Sequence, residues 1–188
     1  MTEEKSFFRK HWSNVLFFIF IVLILIPQTR QPIRIFLNEM IAFSPSEIDE
    51  EDREKVTDFD WRLRDVNNQT VNFEVSQGQP ILVNYWATWC APCIAEMPDL
   101  QLLYNDYKDN VDFYFVTSES KEVVDMFMEK RGFTLPVYYA GSQPPQIMRS
   151  SSLPTTFLIS SQGEIVMKKI GVAKWNSETV RRTIDKLK

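Results

Sequence analysis

Two cysteines, Cys90 and Cys93, are the only ones in this chain of 188 residues, and just two positions separate them. A secreted domain stapled by disulfides would carry several pairs spread along its length. A bond between Cys90 and Cys93 closes a very small ring that restrains little of the unfolded chain, so redox chemistry is the better reason for the pair. The run Trp89-Cys90-Ala91-Pro92-Cys93 stands where an apolar stretch ends and helical spacing begins. A thiol in the first turn of a helix faces unpaired N–H groups and the positive end of the macrodipole, and both favour the attacking thiolate. Pro92 suits the first helical position, where a missing N–H costs nothing. Cys90 is therefore expected to be exposed and nucleophilic. Cys93, one turn inside the helix, is expected to be buried and resolving. The implied cycle is attack by Cys90 on a substrate disulfide, a mixed disulfide, then displacement by Cys93.

Rival chemistries lack their residues. A zinc site needs two further Cys or His ligands, and the single histidine, His11, lies in the N-terminal tail. No metal and no cofactor beyond the redox-active cysteine pair is expected. A copper-delivery module of the C-x-x-x-C type fails on spacing. A peroxidase motif P-x-x-x-T-x-x-C would need Pro and Thr where Val83 and Ala87 stand. A formal net charge of −4 offers no basic face for nucleic acid.

The elements around the pair read as one α/β domain. Phe59, Trp61 and Leu63 alternate with polar residues, as do Val71, Phe73 and Val75, which predicts a β-pair across Asn67-Asn68. Ile81 to Trp86 is nearly continuous apolar sequence, the mark of a central strand buried on both faces. Helical spacing follows over Pro92–Tyr107, a strand over Val111–Val116, a helix over Lys121–Arg131 stopped by Gly132, and a short strand over Leu135–Tyr139. Pro144–Arg149 reads as a helical turn. Thr155–Ile159 and Glu164–Ile170 read as a hairpin, and Ser177 as the cap of a last helix running to Leu187. That order implies a mixed sheet covered by helices on both faces.

Ahead of the domain, Trp12 to Thr29 is uncharged. At about 1.5 Å per residue it is long enough to cross a hydrocarbon core. A signal peptide is the rival, but Pro27-Gln28-Thr29-Arg30 offers no small-x-small cleavage site. Lys5, Arg9 and Lys10 precede the run and favour a cytoplasmic N-terminus. The expected organisation is a cytoplasmic tail over 1–11, a transmembrane signal anchor over 12–29, an amphipathic segment and acidic linker over 30–55, and the domain over 56–188. Ile33, Phe36, Leu37, Met40 and Ile41 recur at helical spacing; that face meets either the membrane surface or the domain. Glu47 to Lys55 reads as a solvated linker.

Val83-Asn84-Tyr85-Trp86-Ala87-Thr88-Trp89-Cys90-Ala91-Pro92-Cys93, continued by Glu96-Met97-Pro98, resembles the TlpA/ResA-like branch of the thioredoxin superfamily. Leu153-Pro154-Thr155-Thr156-Phe157-Leu158-Ile159 is similar to its second signature, and Lys121 to Tyr139 matches its insertion. The resemblance covers residues 56 to 188. It implies a thioredoxin-like fold, a redox pair at Cys90 and Cys93, a helix-kinking Pro98, and a cis-proline at Pro154. It also implies a substrate surface around Trp89, Ala91, Pro92, Leu153 and Pro154, with an edge beside Pro154 for an extended substrate. Glu96 matches a glutamate that exchanges protons with the resolving thiol; its plainer reading is an exposed first-turn acid favouring the helix dipole. Asn84 stands where general thioredoxins carry a buried aspartate.

The implied function is reduction of particular protein disulfides outside the cytoplasm, cytochrome c maturation being the best-known family role. A membrane-embedded thiol donor would supply electrons, and the catalytic domain would face the periplasm from a single-pass inner-membrane anchor. Ala91 and Pro92 carry no charge, and an ionised Glu96 would oppose a thiolate, so a reductant is favoured over an oxidant. A disulfide oxidase or isomerase, and a non-catalytic redox sensor, are the alternatives.

Overall fold

The computed structural model describes residues 42–187, together with residues 12, 14–19, 21, 33, 35, 37 and 38. Among these residues, seven strands form one mixed sheet in the order β2-β1-β5-β4-β3-β6-β7. They are β1 (Arg62–Arg64), β2 (Thr70–Asn72), β3 (Ile81–Tyr85), β4 (Asp112–Thr117), β5 (Val137–Ala140), β6 (Thr155–Ile159) and β7 (Ile165–Ile170). The central strands β3, β4 and β5 run parallel, while β6 and β7 return antiparallel beyond β3. Helices α1 (Ala91–Tyr107), α2 (Lys121–Arg131) and α3 (Glu178–Leu187) follow the expected positions. Gly132, at φ 70°, ends α2 in the left-handed conformation, and the Ser177 hydroxyl accepts from Val180 N at the start of α3.

Strand periodicity sorts the core into two layers. Leu82, Trp86, Phe113, Phe115 and Leu158 face one cluster, with Met97, Leu100 and Leu103 of α1, Val124 of α2, and Val180 and Ile184 of α3. Ile81, Val83, Tyr114, Val116, Phe157 and Ile159 face the other. The expectation of helices on both faces is corrected here: among the described residues, all three α-helices pack into the first cluster. The second face is covered by Val56, Phe59, Trp61 and Phe73, and by Met148 from a short 3-10 turn. Large aromatics supply there the apolar area that a helix would bring, with Phe59 stacked on Phe73 and Trp61 set edge-on to it. Pro144, Pro145 and Pro154 keep the β5–β6 connection from forming a longer helix.

Two smaller departures have local causes. The Asn67-Asn68 turn forms, with Asn68 at φ 61°, but β2 ends at Asn72. The Asn72 side chain accepts from Glu74 N and caps a 3-10 turn over Phe73–Ser76, which leaves Val75 outside. The acidic stretch before the domain is solvated on its side chains, yet its backbone is docked. Ile48 N donates to Val166 O, Ile165 N to Glu54 O, and Lys174 N to Phe43 O. Arg53 pairs with Glu47 and Glu164, and Glu47 also with Lys186, so the segment straps α3 and the β7 edge.

Most of the expected anchor over 12–29 lies outside the described residues. Trp12, 14–19 and Ile21 are helical, and among the described residues no helix is long and apolar enough to cross a membrane.

Candidate active site

Strand β3 delivers the chain to the site. Trp86 N donates to Val116 O, extending the β3–β4 ladder by one residue, and Cys90 N donates to Ala87 O to close the turn into α1. Glu119, just beyond β4, holds this turn through two contacts. Its carboxylate accepts from Thr88 N at 2.6 Å and from the Thr88 hydroxyl at 2.7 Å. Cys90 is the N-cap of α1, Ala91 its first residue and Pro92 its second, one step later than expected but still within the turn that needs no N–H.

Cys90 and Cys93 are joined in a disulfide with Cα atoms 5.2 Å apart. Cys93 N also points to Cys90 Sγ at 3.3 Å. A thiolate released at Cys90 would therefore sit against a backbone donor at a helix N-terminus, which stabilises its charge. Cys90 is less accessible than expected, 4% exposed against 1% for Cys93. The two sulfurs are bonded to each other, and what projects beside them is Trp89, at 70%. Trp89, Cys90, Ala91, Pro92 and Leu153 line an open concavity of about 800 Å³, which Ser151, Leu37 and Asn38 also border. Thus Leu37 and Asn38 of the expected amphipathic segment lie beside the redox pair. Pro154 follows Leu153 through a cis peptide bond and is buried.

One helical turn beyond Cys93 lies Glu96, and its setting excludes the plainer reading of an exposed acid. It is 2% exposed. One oxygen accepts from Asn84 Nδ2 at 2.8 Å; the other accepts from Ala173 N and from Trp175 Nε1, both at 3.2 Å. Asn84 also donates to Thr156 Oγ1 at 2.7 Å, its direct cross-strand partner on β6. Burial pushes the Glu96 carboxyl up to about 8 and nearby Asp99 adds to the rise, against the three hydrogen bonds that lower it. Raised this far, it carries less charge near neutral pH than an ordinary carboxyl, which weakens the opposition to a thiolate that the sequence alone implied.

The sequence reading named Glu96 and noted Asn84, but it missed Trp175, Ala173 and the Thr88–Glu119 contact. A polar residue inside the apolar run Ile81–Trp86 was a legible signal for Asn84. Nothing local marks Trp175, which meets Glu96 across 79 positions of chain. Trp86 is core, as expected, at 1% exposure. Among the described residues no group of three or more His, Cys, Asp or Glu side chains could hold a metal ion.

A family model described as Redoxin matches residues 51–185, most of the chain. The chain belongs to the redoxin family. This redoxin is 36% identical over 104 residues to thiol-disulfide oxidoreductase ResA of Oceanobacillus iheyensis, a match covering 54% of each chain. It is 32% identical over 134 residues to the ResA of Geobacillus kaustophilus, covering 69% of this redoxin and 75% of that relative. The matched stretch thus spans about half the length of the first relative and three quarters of the second. In fold it resembles the crystal structure of a DsbF homologue from Corynebacterium diphtheriae, with a TM-score of 0.59 and 22% identity. That likeness covers 78% of this redoxin and 99% of the other chain. The relatives are named thiol-disulfide oxidoreductases, and the helix-start Cys90–Cys93 disulfide of this redoxin is a group suited to that chemistry.

Proposed function

We propose that this redoxin reduces particular protein disulfides outside the cytoplasm, with Cys90 attacking, Cys93 resolving and Glu96 exchanging the resolving thiol's proton. The observation that carries this reading is the buried Glu96 carboxyl one helical turn from Cys93. A carboxyl held near 8 populates both protonation states close to neutral pH. It can take the Cys93 proton as that sulfur attacks and return it when the pair is re-reduced. In the cycle the Cys90 thiolate attacks one substrate sulfur and expels the other as thiolate. Cys93 then displaces the first, leaving the substrate as a dithiol and the pair as a disulfide.

The reducing direction rests on Ala91 and Pro92, which place neither a charge nor a side-chain donor beside the Cys90 sulfur. Trp89, Ala91, Pro92, Leu153 and Pro154 form the surface for an extended substrate segment, of which an apocytochrome during cytochrome c maturation is one example. Residues 12–29 anchor the chain in the inner membrane with 1–11 in the cytoplasm and the catalytic domain in the periplasm. Such an anchor keeps the domain beside a membrane-embedded thiol donor, needed where the compartment oxidises thiols.

Cys93→Ser stalls the mixed disulfide on Cys90, and protein disulfides captured in the periplasm are the expected catch. Equilibration with a glutathione buffer reads the direction; a potential near about −120 mV, typical of a dedicated oxidant, would overturn the reductant. Activity absent from an insulin-reduction assay would leave a redox sensor instead. Retention of the chain in carbonate-washed membranes tests the anchor, and a mature N-terminus beyond Thr29 would exclude it.

A further inference from the structure

Trp175 belongs to no motif of the redox site, yet it is fully buried in the α1 core with its indole nitrogen on Glu96. It lies in the short segment 171–177 between β7 and α3, and three backbone N–H groups of that segment donate to groups outside it. Gly171 N donates to Pro154 O, Ala173 N donates to Glu96, and Lys174 N donates outward to Phe43 O of the strap. The segment therefore joins the backbone of the cis-proline to the buried carboxyl one helical turn beyond Cys93. An indole offers one donor and no acceptor, on a ring that cannot turn within a packed core.

We propose that Trp175 is a positioning residue of the redox reaction, holding the Glu96 carboxyl in place one helical turn beyond Cys93 through its indole N–H. The inference rests on the role given to Glu96 above. A donor fixed on Oε2 favours the ionised carboxyl, the form that accepts the Cys93 proton, and orients it while Asn84 holds Oε1. The other groups facing this carboxyl are few. Asp99 on α1 opposes ionisation, Ala173 N favours it, Asn84 on β3 is a neutral donor, and Lys174 is exposed on the segment's outer side. Ala42 of the strap is buried on the same side, against a concavity shared by Ala95, Pro98, Asp99, Ala173 and Lys174.

Trp175→Phe keeps an aromatic ring in the core but removes the donor together with the volume of the indole's second ring, so the Glu96→Gln background serves as the control for packing. The test follows the pH dependence of Cys93 alkylation in the reduced full-length protein, for Trp175→Phe, Glu96→Gln and the double variant. A hydrogen bond to a charged group is worth about one pKa unit. The inflection belonging to Glu96 should therefore move up by about one unit in Trp175→Phe, with the rate near neutral pH falling roughly tenfold. In the Glu96→Gln background the same change should move nothing. An inflection that stays in place in Trp175→Phe, or one that moves equally in the Gln background, overturns the positioning role. If Glu96→Gln alone leaves the profile intact, the proton role of Glu96 fails, and the Trp175 role with it. Should Trp175→Phe not fold, the unmutated protein carries the test. Its Trp175 indole N–H resonance should titrate with the same midpoint as the alkylation inflection, and a resonance indifferent to pH across that range overturns the proposal.

Discussion

Asn84 and Glu96 meet at 2.8 Å in the interior, joining the central strand to the helix that carries both cysteines. The amide of Asn84 spends one N–H on Glu96 and the other on Thr156, so the carboxyl is tied through β3 to β6, the strand that Pro154 leads into. Replacing this amide by a second carboxyl, in Asn84→Asp, would bury two acids in contact. They could not both ionise, and the pair would titrate as a unit well above neutral. The expected result is a protein that folds below pH 6 and loses stability steeply as pH rises. Urea midpoints measured across that range check it, and an unchanged midpoint at pH 8 would show that water already screens the site.

Glu96 also couples stability to pH. Burial holds it at about 8 in the folded protein, against 4.5 for the ordinary group. A raised folded pKa means the folded state keeps a proton that the unfolded state has lost. The contribution is thus complete below about pH 4.5 and drains away as pH climbs to about 8, at a limiting rate of roughly 1.4 kcal/mol per pH unit. Glu96→Gln should flatten that decline while slowing turnover about tenfold or more. Equal pH–stability curves for the two proteins would contradict the burial cost assigned to this carboxyl.

The two thiols should differ in reactivity despite similar burial in the disulfide. Cys90 faces the Cys93 N–H and borders the open concavity, whereas Cys93 lies inside the helix and does not line it. Iodoacetamide at neutral pH should therefore modify Cys90 first, by at least tenfold in rate. Peptide mass spectrometry of a brief reaction decides the order, and Cys93 labelled first would reverse the assignment of roles.

Thr88 depends on Glu119 for its backbone partner. Glu119→Ala would leave the Thr88 N–H without its acceptor in a partly buried turn, at a cost of about 1–3 kcal/mol. Faster exchange of the Thr88 amide and slower disulfide reduction are expected together. An amide that stays equally protected would mean the turn is held by its neighbours alone.

The residues near in sequence were enough to reveal much of this molecule. Cys90, Ala91, Pro92 and Cys93 declare a helix-start thiol pair because capping and dipole effects act within one turn. The nearly continuous apolar run Ile81–Trp86, the buried strand Val111–Val116 and the stop at Gly132 likewise follow from local composition and backbone sterics. Tertiary structure alone decided which face each helix covers, and so replaced an expected helix layer with Phe59, Trp61 and Phe73. It alone decided between the two readings of Glu96, making it a buried carboxyl near 8 and not an exposed first-turn acid, because desolvation depends on what other segments pack above it. Trp175 and Ala173 reach Glu96 from nearly eighty positions away, a distance over which no local pattern constrains which side chains meet.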